Sequence, residues 1–99
     1  MTYLEDAYVY AGAVGIEFTA ETNLTAALVS SASKREIHYF PPIGAEVQKT
    51  ATANGTKLVC TNDTPMIAGD YRFHAYLEWA SGTKHRGKTF ILTVEEDTS

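Results

Sequence analysis

Apolar and polar residues alternate along much of this chain, most cleanly in its last third. From Tyr71 to Trp79, the residues Tyr71, Phe73, Ala75, Leu77 and Trp79 fall on one side and Arg72, His74, Tyr76 and Glu78 on the other. A period of two is the pattern of a strand buried on one face. Phe90 to Val94 is apolar and rich in β-branched residues, and Ser81-Gly82 lies between the two runs. A two-residue turn there predicts Phe73 opposite Phe90 and Tyr71 opposite Leu92, with Arg86 beside Leu77 and Lys84 beside Trp79. Upstream, Val14 to Glu21 alternates with Val14, Ile16, Phe18 and Ala20 on its apolar side, and Asp6 to Tyr10 and Arg35 to Phe40 also read as strands. Pro41-Pro42 ends the latter by removing two amide donors and restricting φ. Asn54-Gly55 predicts a hairpin between Glu46–Ala53 and Thr56–Asn62, with Ala51 opposite Leu58 and Lys49 opposite Cys60. Leu24 to Ser30 reads as a strand from its Thr and Ser content, although Ala26, Ala27 and Leu28 tolerate a helix.

No segment carries a sustained helical stripe, and seven or eight short, mostly antiparallel strands fit into 99 residues. A single sheet of such strands would leave one apolar face in water. The expected fold is therefore all-β, a two-sheet β-sandwich of immunoglobulin-like type, with a small barrel as the competing architecture. The length suits one domain spanning residues 1–99, with a core over about residues 6–95 and frayed ends.

A net charge of -4 argues against nucleic-acid binding, which depends on a basic surface. No apolar run approaches the ~20 residues of a membrane helix, and the first residues lack the pattern of a secretory signal, so synthesis in a cytoplasm is expected. Cys60 is the single cysteine, which excludes an intramolecular disulfide; its strand-like surroundings suit a small buried hydrophobe. Gly82-x-x-x-x-Gly87-Lys88-Thr89 matches the P-loop pattern, yet a P-loop must open into a helix whose amides cradle phosphate, and strand residues follow here. His38, His74 and His85 sit in separate segments, and a zinc site needs three or four convergent ligands, so none is expected without knowledge of strand order. The carboxylates show no paired spacing and no nucleophile motif stands out. Catalytic residues, cofactors and metal are all expected to be absent. Asn23, Asn54 and Asn62 match the glycosylation pattern but read as turn residues.

Six tyrosines are many for one small core, and tyrosine is enriched at interfaces. Tyr76, with Arg72 and His74 on the polar side of the long strand, is the leading contact candidate. Lys84, His85, Arg86 and Lys88 form a local basic cluster that reads as a solvated hairpin tip, with docking on an acidic partner as its functional alternative, and Trp79 with nearby tyrosines would stack on sugar rings in an alternative carbohydrate- or small-ligand-binding role.

Asp6-Ala-Tyr8-Val-Tyr10-Ala-Gly12, Tyr39-Phe-Pro-Pro42-Ile-Gly44-Ala-Glu46-Val, and Ala68-Gly-Asp-Tyr71 ahead of a long aromatic strand, a Ser-Gly turn and Phe90-Ile-Leu-Thr-Val94 cover nearly the whole chain. Together they resemble the immunoglobulin-like N-terminal domain of phage baseplate upper proteins. The resemblance implies a small, non-enzymatic, tail-associated phage or prophage protein. It would be made in the bacterial host cytoplasm, assemble into the virion tail, and dock on other tail or baseplate proteins or on itself.

Overall fold

The computed structural model describes residues 9–96. In chain order the elements are β1 (Val9–Tyr10), β2 (Glu17–Glu21), α1 (Ala26–Ser31), β3 (Lys34–Phe40), β4 (Val47–Thr50), β5 (Thr52–Asn54), β6 (Lys57–Thr61), β7 (Gly69–Glu78), β8 (Lys84–Arg86) and β9 (Phe90–Glu95). They make an all-β protein of two facing sheets. The larger runs β1-β9-β7-β3-β4, with β8 also on β7, and the smaller runs β2-β6-β5. β1 lies parallel to β9 and the other pairings are antiparallel. Of the expected first strand, Val9 and Tyr10 are seen in place, and Asp6 to Tyr8 lie outside the described residues.

The alternation seen in the sequence fills the space between the sheets. Tyr71, Phe73, Ala75 and Leu77 of β7, Ile37 and Tyr39 of β3, Phe18 and Ala20 of β2, and Leu58 and Cys60 of β6 are all buried. Phe73 is fully buried at the centre, with its ring centroid 4.5 Å from Phe18 of the opposite sheet, 5.1 Å from Tyr39 and 5.1 Å from Phe90. Each of the large aliphatic and phenylalanine side chains among them contributes about 1.5–3 kcal/mol by leaving water. The β2 alternation holds at Phe18 and Ala20, but Val14 is exposed, and the chain from Gly12 to Ile16 is instead an irregular segment bonded to Asn62 and Met66.

Four expectations are corrected. Leu24 to Ser30 is not a strand: Thr25 Oγ1 accepts from Leu28 N at 3.3 Å and caps the six-residue helix α1. Arg35 Nη1 donates to the carbonyls of Val29, Ser30 and Ala32, and Trp79 Nε1 to that of Leu28, so tertiary donors satisfy the helix's last carbonyls.

The Asn54-Gly55 hairpin exists, but Asn54 pairs with Lys57 and Ala53 with Leu58, so Ala51 does not face Leu58 and Lys49 does not face Cys60. Gly55 has φ +65° and Asn23 is the one non-glycine residue with positive φ among the described residues, so glycine takes the first central position with Thr56 after it, the type II′ pattern. The run expected as one strand also divides at buried Ala51. Lys49 pairs with Ile37 in the large sheet and Thr52 with Val59 in the small one, so the chain changes sheets at this corner.

The final hairpin has the expected partners at its far end, Phe73 with Phe90 and Tyr71 with Leu92. Near the turn it is shifted by one: Tyr76 faces Arg86, Leu77 faces His85 and Glu78 faces Lys84. Trp79 N donates to Thr83 O and Gly82 N to Trp79 O, closing a loop of Ala80, Ser81 and Gly82 with Gly82 at φ +94°. This three-residue loop shifts the register, and a bulge restores it, since His74 and Ala75 face Gly87, Lys88 and Thr89. An added Cβ at Gly87 would overlap the backbone carbonyl of Glu21, so the bulge also needs glycine there for close approach of the two sheets.

Candidate functional site

The three-residue loop decides which side chains of β8 share the outer face of the large sheet. With Arg86 opposite Tyr76 and Lys84 opposite Glu78, the two basic residues lie on that face rather than over Leu77 and Trp79. His85 turns the other way, and its Nε2 lies 2.7 Å from the Thr22 carbonyl. The P-loop-like string is therefore a hairpin tip, a short strand and a bulge, followed by β9 rather than by a helix.

Cross-strand rows order the face. His38 of β3 stands directly opposite His74 of β7, with Glu36 opposite Tyr76 on one side and Phe40 opposite Arg72 on the other. Both imidazoles are buried, His38 at 6% and His74 at 4% exposure, although they occupy the side of the sheet away from the core. Their cover is local. The His38 ring stacks on Tyr76 at 4.4 Å and meets the His74 ring edge-on at 5.4 Å. The Tyr76 hydroxyl donates to the Glu78 carboxylate, which holds the Glu78 carboxyl below its usual range and pushes the phenol up to about 12.

The histidines and Glu46, just ahead of β4, bring donor atoms within 4.8 Å of one another. Glu36 Oε1 lies 2.8 Å from His38 Nε2, leaving Nδ1 to face Glu46 Oε2 at 4.0 Å. The other Glu46 oxygen accepts from Gln48 Nε2 at 3.2 Å. Burial holds His74 below the usual imidazole range; Arg86 and His38 act in the same sense and Glu46 opposes them. These groups border an open depression lined also by Tyr76, Lys84, His85 and Arg86.

The residues expected to form a contact surface therefore have different fates. Arg72, Lys84 and Arg86 are exposed on the outer face. His74 is buried rather than displayed, and Tyr76 is half-buried, clamped between His38 and Glu78. Trp79 donates its indole N–H to Leu28 O and Ser31 Oγ, so it braces α1. Cys60 is buried, and desolvation raises its thiol pKa, as suits an inert core residue.

Four residues of this face were not singled out as contacts or ligands from the sequence: Glu36, Glu46, Phe40 and Ile91. The last two had a signal. Each is a large apolar side chain at a position whose alternation assigns it to the solvent side, Phe40 in line with Glu36 and His38, and Ile91 in line with Thr93. Phe40 pairs with Arg72 and Arg72 with Ile91, so the three form one row across β3, β7 and β9, with Phe40 45% and Ile91 59% exposed.

Comparison with family models, with curated proteins and with solved structures finds no match to this chain. Among the described residues, no helix is long and apolar enough to cross a membrane.

Proposed function

We propose that this chain is a non-enzymatic interaction module, an immunoglobulin-like β-sandwich that docks on neighbouring subunits through the outer face of its larger sheet. The Phe40–Arg72–Ile91 row carries the reading. Two large apolar side chains flank an arginine on a regular, rigid surface, and aromatic and arginine side chains are the types that dominate binding energy at protein interfaces. Exposed Ile43, just beyond Pro41-Pro42, extends the apolar character at the β3 end of this row.

The setting is a phage or prophage tail or baseplate, reached after synthesis in the bacterial cytoplasm, with partners that are other tail proteins or further copies of this chain. The resemblance of the sequence to baseplate upper proteins suggests it, and the positions of the resembling segments support it. Ala68-Gly69-Asp70-Tyr71 opens the long strand β7, with Gly69 at φ +130° packed against Pro42 and Tyr71 starting the buried face. The alternative carbohydrate-binding role is less favoured, because Trp79 is half-buried and its indole N–H is engaged by α1.

Light scattering on size-exclusion fractions, from micromolar to hundreds of micromolar protein, tests the reading. A discrete trimer or hexamer that dissociates in Phe40→Ser/Ile91→Ser is expected, since closed symmetric assemblies are the rule for soluble oligomers. A monomer at every concentration would remove self-assembly, and an oligomer indifferent to the double substitution would remove this face.

A further inference from the structure

We propose that His38, Glu46 and His74 form a binding site for a divalent transition-metal ion of the zinc class, with an open coordination position on the outer face. The inference does not depend on the docking role.

The argument begins with the His38 tautomer. Glu36 Oε1 lies 2.8 Å from His38 Nε2, and a carboxylate there can only accept, so Nε2 carries a proton, and in the neutral tautomer this leaves the lone pair on Nδ1. That lone pair faces Glu46 Oε2 at 4.0 Å, which is another acceptor. Two acceptors turned toward each other at this distance, too far for a hydrogen bond, are stabilised by a cation between them. A nitrogen of His74 completes the triangle, with all three donor atoms within 4.8 Å. None of the hydrogen bonds among the described residues reaches the His74 ring, which is 4% exposed and borders the open depression.

The outer shell has the same logic. Ligating histidines typically give their second ring N–H to a carboxylate, as His38 does to Glu36, and ligating carboxylates are themselves hydrogen-bonded, as Glu46 is by Gln48. Two imidazoles and one carboxylate suit Zn²⁺ and its neighbours rather than Mg²⁺ or Ca²⁺, which prefer oxygen. Tetrahedral bonds of about 2.0–2.1 Å require donor atoms about 3.4 Å apart, so the triangle must contract by roughly 1 Å on loading. Glu46 can supply this movement, because it lies outside β4 and its side chain is 30% exposed. Arg86 and Lys84 line the same depression, so the open position favours water, hydroxide or a small anion over another cation.

Chelator-stripped protein titrated with Zn²⁺ by calorimetry, and with Co²⁺ followed by visible absorption, tests the site. We expect one ion per chain, cobalt d–d bands of four- or five-coordinate strength, and a raised melting temperature with Zn²⁺ because the ion binds the folded state. Glu46→Gln should weaken binding at least tenfold without loss of fold, and Glu36→Gln about 10–100-fold through the outer shell. His74→Phe should abolish it, with circular dichroism reporting whether the fold survives. The site is overturned if the folded wild type takes up no zinc, if Glu46→Gln and Glu36→Gln bind as wild type does, or if NMR in excess Zn²⁺ at neutral pH shows His38 protonated on both nitrogens.

Discussion

Asn62 shows how much one side chain can hold. It is buried, Oδ1 accepts from Ile16 N at 2.6 Å, and Nδ2 donates to Ala13 O at 3.1 Å and Thr64 O at 2.8 Å. Its backbone N–H bonds Ile16 O and its carbonyl accepts from Gly15 N. The amide therefore takes the role of a ladder for the irregular segment before β2. Asn62→Ala takes the side-chain partner from Ile16 N and Thr64 O, while Ala13 O keeps Met66 N, and should cost about 2–4 kcal/mol, read as a lower urea midpoint at unchanged slope. A loss below about 1 kcal/mol would mean that water replaces the amide. Next to it, Asp63 is hydrogen-bonded by Lys49 at 2.9 Å, which holds its carboxyl below the usual value. A depressed carboxylate adds stability above its unfolded pKa of about 3.9, and that stability is lost as pH falls through the folded value. Melting temperatures measured from pH 6 down to about 2 should decline less steeply in Asp63→Asn than in wild type. The effect is small because the Asp63 carboxylate is largely solvated. Asn62 was legible as a turn residue but not as a hub, because its partners lie up to 49 positions away.

α1 was the element least legible beforehand. Its six residues are too few to be stable by helix propensity, and of them Val29 is buried. Its stability comes from outside: the Thr25 cap, and Arg35 and Trp79 on its terminal carbonyls. Trp79→Phe keeps an aromatic ring, though a smaller one, and removes the donor, and should cost about 1–2 kcal/mol by urea unfolding. Unchanged stability would show that the ring's packing alone holds the helix. The β8–β9 bulge is the second such element. The mutual partners Phe73 and Phe90 were legible because apolar periodicity specifies register wherever a face is buried. Two compensating irregularities in between were not, since a two-residue and a three-residue loop both accommodate Ser81-Gly82. Gly87→Ala forces β2 and β7 apart, so a loss of about 1–3 kcal/mol is expected, with a melting temperature several degrees lower. Wild-type stability would mean that the bulge shifts freely.

At the scale of the whole molecule, both sheets share one core centred on Phe73, and its aromatic contacts cross the gap to Phe18. Phe73→Ala should cost about 3–5 kcal/mol, a large part of the ~5–15 kcal/mol of a typical domain. Far-ultraviolet and near-ultraviolet signals should still lose structure together in that variant; separate transitions would show that the sheets hold independently. The sequence by itself determined that the protein is all-β, that it needs two layers, and that Phe73, Tyr71, Phe90 and Leu92 share a face, because a period of two and proline or glycine punctuation are local properties of a chain. It equally marked Gly82 to Thr89 as something other than a phosphate loop. Only the tertiary structure decided that β3 and β7 are neighbours, which sets His38 against His74, and that a three-residue loop turns Arg86 and Lys84 to their side. Strand order and loop length depend on contacts between distant residues, and periodicity within a strand carries no record of which strand lies beside it.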